Sequence, residues 1–298
     1  MTCYLIDVSI YFFRFYFSVR NIVPSRDGHD VAATIGWLRW LLNLLDSERP
    51  RAIALCFDES LGTCFRNAID PLYKSNRPQP DDALLYQLSA CKQLAQNLGL
   101  PVYGSDMFEA DDLIASLFRA ACEQGLEPLI LSRDKDLAQL LRPQAGAIWD
   151  YGYGDRENYE TVMRRLGLRP EQLVDLLAIV GDSVDAIRGV PGIGAVTARV
   201  LLTHFSSWAE LKANLDAVPQ LPIRAAGKVA ARLAEHAGLL DKNIQLTRLR
   251  DDALPKNRAC FDRVPLLNNS AAAAALTDLF ECLRMPPALR DLAIKTCA

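Results

Sequence analysis

The strongest constraint on this chain is an alternation. Four short apolar runs, CYLIDVS (3–9), AIALCFD (52–58), LPVYG (100–104) and PLILS (128–132), are separated by helical patterns over 37–45, 84–98 and 113–122. Strands separated by helices of that length pair in parallel, with the crossover helices on both faces of one sheet. In such sheets a ligand site lies beyond the carboxyl ends of the strands. Asp7 closes the first run, Asp58 closes the second, and Asp134 follows the fourth within SRDKD (132–136), where Asp136 stands two residues on. Topology alone therefore gathers carboxylates from distant sequence at one edge.

EADDLIASLFRAACEQG adds three more acids. Leu113, Ile114, Leu117, Phe118 and Ala121 mark the apolar face of a helix, and Glu109, Asp111 and Asp112 occupy its entrance. Acids there complement the helix dipole, each by ~0.3–1 kcal/mol. This entrance, however, opens on the same sheet edge as the other acids. Crowded like charges raise one another's pKa and oppose folding unless cations neutralise them, so the set reads jointly as a divalent-metal site. Asp182 and Asp185 sit in a short turn after a helix over 171–180, within reach of the cluster. GVPGIG (189–194) then separates two helical runs. A glycine-rich turn leaves N–H groups free at the start of the second helix, where a phosphate can sit.

Composition excludes other classes. The 298 residues are 50% apolar, with no long charge-free apolar run and no basic-then-apolar leader, so the expectation is a soluble cytoplasmic chain without membrane contact, folded as one elaborated domain or two unequal ones. The eight cysteines form no C-x-x-C or Cys/His cluster, so neither a zinc site nor a disulfide framework is signalled. The net charge of -3 conceals a polarity. Acids crowd the strand ends and turns before residue 186, whereas 186–250 holds nine basic residues (Arg188, Arg199, Lys212, Arg224, Lys228, Arg232, Lys242, Arg248, Arg250) against four acids (Glu210, Asp216, Glu235, Asp241).

FD at 57–58, EADD at 109–112, SRDKD at 132–136 and GDSVDAIRGVPGIG at 181–194, in this order, resemble the signature blocks of the bacterial and phage 5′ nucleases. That family comprises 5′-to-3′ exonucleases and flap endonucleases and supplies the N-terminal nuclease domain of many bacterial DNA polymerases I. The resemblance runs from Asp7 to about His204, and the chain length is like that of the free-standing members. It implies a PIN-like nuclease core over 1–165, a helix-hairpin-helix (helix-3-turn-helix) DNA-binding subdomain over 166–250, and a segment over 251–298, with an Ala-rich helix at 270–282, that folds back on the core. It also implies a Mg²⁺- or Mn²⁺-dependent, structure-selective enzyme, a monomer acting on nicked or branched DNA with a 5′ single strand in replication and repair.

The resemblance assigns Asp7, Asp58, Glu109, Asp111 and Asp112 to a first metal, and Asp134, Asp136, Asp182 and Asp185 to a second, with Asp111 bridging. Hard oxygen ligands suit such ions. FRNAIDPLYKSNRPQP is similar to the family's helical arch, placed over 62–82. There Arg66, Lys74 and Arg77 are expected on phosphates, Lys74 and Arg77 at the chemical step, and Tyr73 on a base. Arg14 matches another phosphate-contacting arginine and is assigned with Lys74 and Arg77 to the catalytic set. Gly189, Gly192, Gly194, Thr197 and Arg199 are expected to hold the duplex, and a K⁺ ion is implied at hairpin carbonyls such as those of Val190 and Ile193. His29, His204 and His236 lie outside these blocks.

Departures fall at Val8, where the family has glycine, and at Val184, Ala186 and Arg188, where it usually reads GDSSDNIPGV. Val196 replaces a common lysine, with Arg199 a turn further on. Two other readings stay open at this point: a branched-DNA binder without turnover, and a single-strand ribonuclease built on a similar sheet.

Overall fold

The computed structural model describes residues 1–60, 62–263 and 270–297. In chain order the sheet region comprises β1 (Thr2–Asp7), α1 (Val8–Ser18), α2 (Ala32–Glu48), β2 (Ala52–Asp58), α3 (Phe65–Ile69), α4 (Asp82–Asn97), β3 (Val102–Ser105), α5 (Ala110–Glu123), β4 (Glu127–Leu131), β5 (Ala147–Trp149) and β6 (Arg156–Asn158). The sheet order is β3-β2-β1-β4-β5-β6, parallel except for the β5–β6 pair. The expected mostly parallel sheet with helices on both faces is the fold found.

The apolar runs are continuous because each central strand is covered on both faces. Alternate residues divide between two cores. Cys3, Leu5, Ala54, Cys56 and Ile130 pack with α5 on one side. Tyr4, Ile6, Ile53, Leu55, Leu129 and Leu131 pack with α1, α2 and α4 on the other. The first strand is shorter than its apolar run suggests. It stops at Asp7, whose carboxylate caps α1 by accepting from the Ile10 N–H at 3.4 Å, so Val8 and Ser9 are helical. The three-residue strands β5 and β6 are too short for any periodicity to announce them.

A helical region follows: α6 (Tyr159–Leu166), α7 (Leu173–Val180), two two-residue strands β7 (Gly181–Asp182) and β8 (Ile187–Arg188), then α8 (Ala195–His204), α9 (Trp208–Ala213), α10 (Ala226–Glu235) and α11 (Ala237–Thr247). The β7–β8 turn needs its glycine. Gly181 has φ +83°, and a Cβ there would run into the backbone of Gly189 and Ile187. Buried Asn243 on α11 ties the region together by donating to the carbonyls of Ala178 and Arg188, both at 2.8 Å. The chain then returns to the sheet, where the Ile53 N–H donates to the Phe261 carbonyl at 2.9 Å. Two last helices, α12 (Ser270–Cys282) and α13 (Pro287–Cys297), pack on α4 and α2.

Candidate functional site

The order of the strands reverses at β1, which lies between β2 and β4. Asp7 ends β1, Asp58 ends β2, Asp134 follows β4, and α5 starts over the same edge with Glu109 as its N-cap. SRDKD folds as a nested turn. The Ser132 hydroxyl donates to Asp7 at 2.9 Å and accepts from the Asp134 N–H at 3.0 Å, while Asp134 accepts from the Asp136 N–H at 2.9 Å. Asp58 accepts from the Ser60 N–H and hydroxyl.

Burial, followed by repulsion from Asp134, pushes Asp136 up to about 7. Burial likewise raises Asp7 to about 7, with Asp134 and Asp58 adding to it and the Ser132 bond opposing it. Asp111 is raised well above the carboxylate range by burial and then by Asp134 and Asp7. These groups are held too close together to ionise freely.

Cations of the chain itself occupy the rest. Lys74 pairs with Glu109, Lys135 with Asp182 at 2.8 Å, and Arg77 with Asp185 at 2.6 Å. Burial would raise Glu109 and Asp182, but Lys74 and Arg66 on the first, and Lys135 on the second, hold both below the usual range. As placed, no group of three or more Asp, Glu, His or Cys among the described residues could hold a metal ion. The donors nevertheless fit one. They are oxygens only, several are forced toward protonation by crowding, and Asp136 Oδ1 is buried without a hydrogen-bond partner. Glu109, Asp111, Asp136, Asp182 and Asp185 line one cleft. Asp7, Asp58 and Asp134 adjoin it through the repulsions that raise Asp7 and Asp111.

Several expected roles change in three dimensions. Arg66 was expected on a phosphate, but its side chain is 1% exposed and engages Glu109 and Asp112. Tyr73 is buried with its hydroxyl on Glu109 at 2.9 Å, so its ring is not offered to a base. Asp112 was expected among the ligands of the first metal, yet it is fully buried and both oxygens are taken by Arg66 and by backbone N–H groups. The 62–82 segment forms the five-residue α3 and a series of turns laid against the 183–185 loop, through Asn76 on the Ser183 carbonyl and the Lys74 N–H on the Asp185 carbonyl. Arg14 pairs with Asp150 at 2.6 Å and stacks on exposed Tyr153, 3.8 Å from the ring centre. Arg199 is partly turned inward, its Nε donating to the Leu166 carbonyl at 2.9 Å. Sequence reasoning missed Ser132, Lys135 and Asp150. The first two lie inside SRDKD, where the aspartates drew all the attention.

The hairpin is preformed. Gly192 is exposed with φ +73°, Gly194 is the N-cap of α8, and Thr197 lies half-exposed in that helix's first turn. Val190 and Ile193 are buried anchors joined by an Ile193 N–H to Val190 carbonyl bond at 3.1 Å. Gly189 packs against the Val180 backbone so closely that any side chain would collide. Arg232 of α10 leans over the turn and donates to the Gly192 carbonyl at 3.4 Å. It brings a cation to the turn, and no motif marked it.

A parallel sheet with an all-oxygen acidic edge at its reversal point, joined to a helical unit with a glycine hairpin, defines a class of two-part α/β proteins. Comparison with known proteins narrows that class. Residues 2–167 match the family described as 5′-3′ exonuclease, N-terminal resolvase-like domain, and residues 168–261 match the 5′-3′ exonuclease, C-terminal SAM fold. The chain belongs to the 5′-3′ exonuclease family. It is 35% identical over 249 residues to DNA polymerase I of Pseudomonas aeruginosa, a match covering 83% of this chain and 27% of that much longer protein. It is 31% identical over 249 residues to the 5′-3′ exonuclease of Buchnera aphidicola subsp. Schizaphis graminum, covering 83% of this chain and 86% of that one. In three dimensions it resembles the 5′-exonuclease of phage T5 with bound divalent metal ions (zinc), with a TM-score of 0.68, 21% identity, and coverage of 95% and 100% of the two chains. Among the described residues no helix is long and apolar enough to cross a membrane.

Proposed function

We propose that this chain is a structure-selective 5′ nuclease that hydrolyses phosphodiester bonds of flap, nicked or branched DNA in the presence of Mg²⁺ or Mn²⁺. One observation carries the reading: carboxylates from β1, β2, the start of α5, the turn after β4 and the β7–β8 turn converge at the sheet's reversal point, where burial and crowding hold Asp7 and Asp136 near 7. Asp7, Asp58, Glu109 and Asp111 would hold one divalent ion and Asp134, Asp136, Asp182 and Asp185 a second, with Asp111 shared. When bound, such ions supply an activated water and charge stabilisation at the phosphate. The chain's own residues do the rest. Lys74 and Arg77 pair with Glu109 and Asp185, two carboxylates of the cleft wall, and would transfer to phosphate oxygens of the 5′ strand. Arg14, with 17% of its side chain exposed and paired with Asp150, would add a further contact. The amides at the start of α8, with Gly192, Gly194, Thr197 and Arg232, hold the duplex by its backbone and without base readout. A K⁺ ion at hairpin carbonyls, including those of Val190 and Ile193, belongs to the same proposal, as do monomeric action and a role in replication or repair.

The test uses 5′-labelled flap DNA and single-stranded RNA, with Mg²⁺ and with chelator. Cleavage of flap DNA near the branch, dependent on Mg²⁺, is expected. Tight flap binding without turnover would instead indicate a branched-DNA binder, and preferential cutting of the RNA a ribonuclease.

A further inference from the structure

The Arg66 guanidinium is satisfied on every side inside the protein. Its Nε donates to the Leu246 carbonyl at 2.8 Å, Nη1 to Asp112 at 2.6 Å and Glu109 at 3.0 Å, and Nη2 to Asp112 at 2.8 Å and the Arg248 carbonyl at 3.1 Å. Asp112 completes the joint by accepting from the N–H groups of Arg250 at 2.8 Å and Glu109 at 3.2 Å. A second tie lies alongside it, where Gln139 donates to the Thr247 carbonyl and accepts from the Leu249 N–H. The 246–250 segment so fastened supplies Leu246, Thr247 and Leu249 to the wall of the acidic cleft.

We propose that Asp112 is not a metal ligand but the anchor of this buried joint, and that Arg66 is a positioning residue that fixes Glu109 at the cleft and holds 246–250 across its wall. A ligating carboxylate must turn a lone pair toward the ion, and each oxygen of Asp112 already serves two donors. The charges separate in the same way. Lys74, 18% exposed, balances Glu109 and can leave it, whereas Arg66, 1% exposed, balances Asp112 and cannot. Only a guanidinium gives a two-pronged grip on one carboxylate while its third nitrogen reaches a carbonyl.

The proposal rests on the nuclease reading only for the importance of Glu109, and its test separates the two. Asp112→Asn, Arg66→Lys and, as reference, Asp111→Asn are titrated with Mn²⁺ by calorimetry, and amide hydrogen exchange is followed at 246–250 in metal-free protein. Asp112→Asn should lower Mn²⁺ affinity by no more than the about 10–100-fold typical of an outer partner, and Asp111→Asn by at least about tenfold more than that, because it removes a direct ligand. Exchange at the Leu249 and Arg250 amides should speed up about tenfold or more in both Asp112→Asn and Arg66→Lys, as loss of a charge-assisted bond requires. Equal affinity losses in Asp112→Asn and Asp111→Asn overturn the reassignment, and unchanged exchange in both joint variants overturns the joint. Wild-type protein that binds no Mn²⁺ sinks the nuclease reading instead, and the exchange rates then still decide the joint.

Discussion

The acidic edge and the glycine hairpin face the same expected substrate but are built in opposite ways. At the edge, the proposed chemistry would depend on side-chain charges that the fold holds together against their repulsion, and Lys74, Lys135 and Arg77 quiet several of them. At the hairpin the groups on offer are backbone N–H and C=O, fixed by Gly192 at φ +73° and by the buried anchors Val190 and Ile193. An electrostatic site must exchange partners before it works, whereas a backbone site is ready beforehand. Damage to the first should therefore appear in rate, and damage to the second in affinity.

The largest effect should come from Asp134→Asn or Asp136→Asn. Either should lower cleavage by about a thousandfold or more, the scale of losing several kcal/mol of transition-state charge stabilisation, while flap binding holds or tightens because a DNA-facing negative charge is gone. Near-native turnover at ordinary Mg²⁺ in either variant would break the two-ion assignment. Next, Lys74→Ala should lower the single-turnover rate at saturating DNA by about a hundredfold with little change in Kd, since a cation on the reacting phosphate counts mostly in the transition state. Gly192→Val should do the reverse. Its positive φ and the Arg232 guanidinium in the path of a Cβ predict an affinity loss of about tenfold at nearly constant rate. Equal losses of rate and affinity at both places would merge the two regions into one surface.

The comparison also has a pH signature. Asp7 and Asp136 are raised from the ordinary 3.8 to about 7, so the folded state binds protons that the unfolded state has released, and metal-free protein should lose stability as pH rises from about 4 through 7. Glu109 and Asp182, held low, act oppositely and lose their contribution only as pH falls below the ordinary carboxylate range. Melting curves without divalent ions should show a higher Tm near pH 5 than near pH 8, with Mg²⁺ reversing the order. A metal-free Tm that climbs from pH 5 to 8 contradicts the crowding described here. The smallest effect belongs to Ala186, held at φ +58° in the turn between the site's last two carboxylates and β8. Ala186→Asn should stabilise by ~0.5–1 kcal/mol, because Asn tolerates the left-handed region better, measurable by urea denaturation.

The parallel sheet and the carboxylates at its strand ends were legible, because a chain that alternates apolar runs with helices has few ways to close and Asp7, Asp58 and Asp134 stand at or just past the ends of the runs; the strand order and its reversal at β1 were not, since no local pattern states which strands are neighbours. The two halves of EADD were not separable by the same means. Asp111 and Asp112 are adjacent, but successive helical positions point about 100° apart, and that rotation sends one toward the cleft and the other to Arg66. Arg66 itself read as one more cation in a basic surface stretch. Its burial depends on carbonyls some 180 residues further along the chain, which no local pattern announces. Arg232 was hidden for the same reason: it meets Gly192 across 40 residues.

Asp7 ends the central strand, starts the first helix and sits among the carboxylates of the site. A lineage drifting away from catalysis could shed Asp136 or Asp185 one at a time at little cost to folding, but losing Asp7 removes a helix start along with a charge. Of all the site's carboxylates it should be the last to disappear from relatives that have stopped cutting, and where it is replaced the substitute should be Asn or Ser, which retain the cap without the charge.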